Sequence, residues 1–201
     1  FGPLIGAMFV SPELGGAPDP RAGYVASALS GLALLWAIFK LPESLKPGES
    51  DLAGHFHLKH LGSVASSPAS LLLLFTIFLT TFAFAQFETT LSLLTKSLEA
   101  GDRENFYIFA YVGLVLTLSQ GLIVRRMATR MPAQRMALIG TAVMVVGLLL
   151  IGYGGTTGSK TLLYWFIPIA VVGYSATTPS LQSLLSLRTS AEKQGQVLGV
   201  G

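Results

Sequence analysis

Long apolar runs alternate with short polar connections along this chain. Runs of 18, 25, 19 and 19 residues cover 22–39, 71–95, 106–124 and 136–154, and a fifth of 27 residues covers 161–187. A helix needs about 20 apolar residues to cross the hydrocarbon core of a bilayer, with a working range of about 17–25. Four runs meet that length directly. The fifth contains Pro168, Gly173 and Pro179 and reads as one long, broken helix. Residues 1–10 read as the tail of an earlier helix, and 195–201 as the head of a later one. The runs do not alternate apolar with polar, as barrel strands would. An open sheet edge would leave backbone groups unsatisfied in lipid, so the runs must be helices. The predicted fold class is all-α, a polytopic transmembrane helical bundle.

Composition agrees with the pattern. Charged residues make up 11% of the chain and apolar ones 51%, and the mean hydropathy is +0.63. Soluble domains carry about 25% charged residues to cover their surface. This chain therefore meets a solvent other than water. It has no cysteine, which excludes disulfides, thiolate metal sites and cysteine nucleophiles. A net charge of +3 without a basic face predicts no nucleic-acid partner.

Charge placement sets the orientation. Lys40, Lys46, Lys59, Arg125, Arg126, Arg130, Arg135, Arg188 and Lys193 fall in the connections 40–69, 125–135 and 188–194. Arg21, Lys96, Arg103 and Lys160 fall in the others. Those nine and four account for all 13 basic residues, and the two sets alternate along the chain. The nine-residue side is predicted to be cytoplasmic. The connection 40–69 is the longest and holds Pro42, Pro47, Gly48, Gly54 and Pro68, which reads as a linker between two bundles.

Few residues inside the runs offer chemistry. Glu88 is the only acid within a span. A carboxylate is costly in hydrocarbon, so it is expected to face protein or a water-filled path and to carry a proton there. Counting about 1.5 Å per residue from Leu71 places it roughly 26 Å into a core about 30 Å thick, in the outer third. An interfacial acid is the alternative. At about 100° per residue, Glu88 shares a face with Thr81, Ser92 and Thr95, while Gln86 shares another with Thr76, Thr80 and Thr90. In the last run Tyr174, Thr178 and Gln182 recur at intervals of four and form a candidate substrate wall beside Pro179. A kink whose hydroxyls satisfy the backbone is the competing account. Tyr164 and Trp165 read as interface anchors. His55, His57 and His60 fit neither one helical face nor a zinc spacing, so no metal is expected. No histidine lies in a span and Glu88 has no second acid, which argues against an intramembrane enzyme. No cofactor is implied.

Several motifs, taken together in order, resemble those of the major facilitator superfamily, and more narrowly its drug:proton antiporter branch, to which tetracycline-efflux pumps belong. Gly2, Pro3 and Gly6 resemble the end of the antiporter motif on the fifth helix, with Ala7 where a second Gly is common. Leu41-Pro42-Glu43-Ser44 resembles the exit from the sixth helix. Gln120-Gly121, Arg125, Arg126 and Arg130 resemble the loop motif between the eighth and ninth helices, with Arg125 where the full motif has Asp. Thr178-Pro179-Ser180-Leu181 and Gly195-Gln196-Val197-Leu198-Gly199 resemble the passage from the tenth helix into the eleventh.

The resemblance implies a fragment from late helix five to early helix eleven of a twelve-helix protein. Residues 1–39 would end the N-terminal bundle, 40–69 would be the central cytoplasmic linker, and 70–201 would belong to the C-terminal bundle. It also implies a secondary active transporter, multi-pass in a plasma membrane (the inner membrane in a bacterium). Its partners would be the lipid bilayer, protons and a small amphipathic substrate exported by alternating access. Uptake of a sugar or other metabolite in the same fold, and a non-transporting membrane scaffold subunit, are the other readings.

Overall fold

The computed structural model describes residues 2–9, 20–40 and 68–187, and these are helical with no strand. The helices are α1 (Gly2–Met8), α2 (Arg21–Lys40), α3 (Pro68–Ser97), α4 (Asp102–Leu118), α5 (Arg125–Ala128), α6 (Ala133–Thr156) and α7 (Lys160–Leu187). A π-helical segment (Ser119–Val124) joins α4 to α5 without a break, so Asp102–Ala128 runs as one rod. Five of these rods are long and apolar enough to cross a membrane. Each contains a predicted run and extends it by one to four residues at either end, except that α7 stops with its run at Leu187. The expected break in the last run is absent: α7 is continuous through Pro168 and Pro179. The histidines and most of the predicted linker lie outside the described residues.

The helix ends follow from local chemistry. Pro68 opens α3, where its missing N–H costs nothing. The chain leaves α3 through a Schellman turn. The Ala100 N–H donates to the Thr95 carbonyl at 3.0 Å and the Glu99 N–H to that of Lys96 at 3.0 Å. Glu99 holds the left-handed position of this turn at φ 59°, where glycine is the usual residue. Gly158, at φ 67°, does the same work after α6. Asp102 and Glu104 sit in the first turn of α4, where the helix dipole favours negative charge.

The closest packing is between α6 and α7. Gly140, Gly147 and Gly154 recur every seven residues and share one face of α6. They face Thr177 and Gly173, then Ala170, then Leu163 and Phe166 on α7. A Cβ on Gly147 would stand 2.5 Å from the Ala170 Cα, and one on Gly173 would stand 2.7 Å from the Met144 Cα. Lipid tails are as apolar as leucine, so helices in a membrane associate mainly through such close packing and interhelical hydrogen bonds.

Against this pair lie α3 and α4. Phe84, Phe87 and Leu91 of α3 meet Ile108 and Val112 of α4, Ile151 of α6, and Leu163, Ile167, Ala170 and Val171 of α7 in one cluster. A second cluster, towards the predicted cytoplasmic side, joins Ile77, Ala137, Leu181 and Leu185. In contrast, α2 buries none of its residues against the described chain.

Two stability changes should follow. Gly147→Leu should wedge α6 from α7 and lower stability by about 1–3 kcal/mol or more. Gly152→Leu, on the same helix with open space around it, should change little. Glu99→Gly should raise stability by up to about 1 kcal/mol by relieving the left-handed backbone. Thermal unfolding in detergent measures all three.

Candidate functional site

Glu88 emerges from the side of α3 next to its packed face. It is exposed, and it has no hydrogen-bond or ion-pair partner among the described residues. One turn further on, the same side carries a polar cluster that the sequence reading had only in part. The Thr95 hydroxyl donates to the Asn105 side-chain oxygen at 2.8 Å, and the Asn105 amide donates to the Ser92 hydroxyl at 3.1 Å. Thr95 is buried. Asn105 was overlooked because it lies on the first turn of α4, just before the predicted run.

The other candidates divide between two places. Gln86 and Thr90 line a cleft of about 600 Å³ between α3 and α6, with Phe87, Leu148, Ile151 and Thr156. Tyr174 lies instead between α7 and α3. Its ring stacks on Phe84 with centroids 3.7 Å apart and planes 7° from parallel. Thr178 donates its hydroxyl to the Tyr174 carbonyl at 3.2 Å, and Gln182 is exposed. Phe84 and Gln86 are two residues apart on α3, about 200° around the helix. The structure therefore brings Tyr174 and Thr178 together and keeps Gln86 apart from them.

Two further polar contacts join helices of this bundle, one buried and one at its surface. Ser119 and Ser175 share a hydrogen bond between their hydroxyls, joining the start of the π segment to α7. Pro168 has no N–H, so the Tyr164 carbonyl one turn earlier loses its helical donor. The Tyr111 hydroxyl of α4 donates to that carbonyl at 3.1 Å. Tyr164 thus does more than anchor at the interface, while Trp165 stays 73% exposed, as an anchor would.

The ends of the bundle differ in charge. At the predicted outer end, Lys160 reaches both oxygens of Glu104 at 3.0 and 3.2 Å, and Lys96 lies 3.9 Å from Asp102. The four described acids, Glu88, Glu99, Asp102 and Glu104, all belong to the outer parts of α3 and α4. At the other end Arg125, Arg126, Arg130 and Arg135 are exposed and face no acid among the described residues. Gly121 lies in the π segment beside them. Of the remaining motif residues, Gly2 and Pro3 open α1. Gly6 packs so closely on α4 that a Cβ there would come 2.6 Å from the Phe106 ring. No cluster of three or more potential metal ligands occurs among the described residues.

The family model described as Major Facilitator Superfamily matches residues 1–201. No curated protein and no solved structure matches the chain significantly. With five apolar helices of spanning length among the described residues, and a family match over its whole length, the chain belongs to the Major Facilitator Superfamily of secondary transporters.

Proposed function

We propose that this chain belongs to a proton-coupled exporter of small amphipathic compounds, working by alternating access between two helix bundles. In this reading residues 1–39 end the N-terminal bundle, 40–69 link the halves, and α3, α4 with α5, α6 and α7 are the seventh to tenth helices. The order of the motifs supports that numbering. The observation that carries the coupling role is Glu88. It is a carboxylate in the outer third of an apolar helix, held by no cation among the described residues. Such a group is costly to keep in a membrane unless it faces a pathway. Two separate places favour an amphipathic substrate over a sugar: the cleft beside Gln86 and Thr90 is walled by Phe87, Leu148 and Ile151, and near Thr178 the Tyr174 ring stacks on Phe84.

Proton exchange at Glu88 would be tied to the rocking of the bundles. Gly6 against Phe106 supplies the contact between them at the outer end, since α1 belongs to the first bundle and α4 to the second. Closing that end requires two rods to approach within a ring's thickness, which a larger side chain at position 6 prevents.

Two measurements test this. The intact protein is placed in vesicles with an imposed pH gradient, and lumenal pH is followed as lipophilic cations, tetracyclines and sugars are added in turn. Proton movement on adding a drug is expected for the wild type. Glu88→Gln should abolish it while leaving insertion intact. Drug-driven proton flux that survives this change rules out the coupling role. Separately, Gly6→Leu should hold the outer end open. Labelling of a cysteine introduced at position 110, one helical turn from Phe106 on the same face, by an outside reagent should then rise above its level with Gly6 in place.

A further inference from the structure

Beside the π-helical segment lies a groove whose charged lining residues are both arginines. The Arg125 N–H donates to the Gln120 carbonyl, five residues back, which marks the widened winding. Gly121, Leu122, Arg125, Arg126 and Thr129 line an open groove of about 550 Å³ there. The Thr129 hydroxyl donates to the Arg126 carbonyl at 2.9 Å, so it closes the last turn beneath the guanidinium groups. Among the described residues neither arginine has an acid beside it, because every described acid sits towards the opposite end of α3 and α4. Towards the membrane centre the same side of the rod is apolar: Leu118 is 50% and Leu122 67% exposed, at intervals of four from Arg126.

We propose that this groove is a binding site for one anionic glycerophospholipid of the leaflet that the arginines face. Paired guanidinium groups match a phosphodiester, whose oxygens accept two parallel hydrogen bonds from each fork. The exposed Leu118 and Leu122 give an acyl chain a surface that continues from the headgroup into the hydrocarbon layer. A free phosphate ion would use the arginines but not the leucines. General attraction of basic residues to an anionic surface depends on charge count near the membrane and not on the groove. Arg135 provides that comparison, being exposed at the same end but not part of the lining.

The test uses the intact protein in bilayer discs containing dioleoylphosphatidylglycerol and dioleoylphosphatidylcholine, with retained lipid read by native mass spectrometry after extraction. Wild type should keep the glycerol lipid in preference to the choline lipid. The double variant Arg125→Gln/Arg126→Gln should weaken that retention by more than the roughly 30-fold that two cations near the surface contribute, and Arg135→Gln by no more than the roughly fivefold of one. Leu118→Ala/Leu122→Ala, which keeps both charges, should weaken it several-fold, and it tests the site where the arginine variant does not insert. No preference in the wild type overturns the proposal, as does equal loss with Arg135→Gln. Release of the lipid by millimolar inorganic phosphate also overturns it, because the groove would then be an ion site.

Discussion

The bundle depends on the approach of two backbones. Along α6 and α7, glycine and alanine stand where any larger side chain would force the helices apart, at Gly147 against Ala170 and at Gly173 against Met144. In water such a seam would be weak, since it buries little side-chain area. In lipid the balance changes, because apolar side chains gain nothing by leaving the tails for one another. Contact between close backbones then becomes the main attraction. The Thr177 hydroxyl donates to the Gly173 carbonyl at 2.8 Å and the Thr141 hydroxyl of α6 to that of Ala137 at 2.9 Å, so these two hydroxyls, 3.5 Å apart across the seam, are satisfied inside their own helices.

From that seam α7 is fixed as the central rod, and its other sides receive α3 and α4. The same constraint explains how a helix with two internal prolines stays continuous. Each proline removes a donor from the turn before it. At Pro168 the freed carbonyl of Tyr164 is taken by Tyr111. Pro179 frees the Ser175 carbonyl in the same way, and beside it the hydroxyls of Thr178 and Ser180 bond to the neighbouring carbonyls of Tyr174 and Ala176, which also keep their helical donors. Backbone satisfaction, which decides that spans are helical at all, also decides where hydroxyls are needed along them.

The sequence showed the spans well, because hydropathy over 18 or more residues is a strong signal and lipid allows one solution to it. The seam was also legible in principle: Gly140, Gly147 and Gly154 repeat every seven residues, and the repeat was passed over in favour of titratable groups. The break expected at Pro179 failed because proline's local effect was judged without its neighbours. Partners across helices were less legible. Asn105 with Ser92 and Thr95, and Ser119 with Ser175, depend on which rods are adjacent, and no spacing within one run reveals that. The division of Gln86 from Tyr174 has the same origin. Period alone puts both on polar faces, but only packing decides that one faces α6 and the other faces Phe84.

The placement of charge completes the physical picture. Acids and their lysine partners tie the starts of α4 and α7 at one end, where Glu104 holds Lys160. Arginines with no acid beside them among the described residues crowd the other. The described bundle is thus clasped internally at one end and rich in positive charge at the other. On the proposed reading the two ends then have different tasks when the halves rock. The clasped end moves as a rigid piece with the α6–α7 seam, and the arginine end exchanges partners between headgroups and the rest of the protein. Glu88 lies on the clasped side of that division, one turn below the Asn105 cluster, in a region where α3 and α4 keep their relation to each other. A proton taken up there changes the charge of a rigid surface instead of melting a flexible one. That is the condition under which a single titration can be felt by a whole bundle.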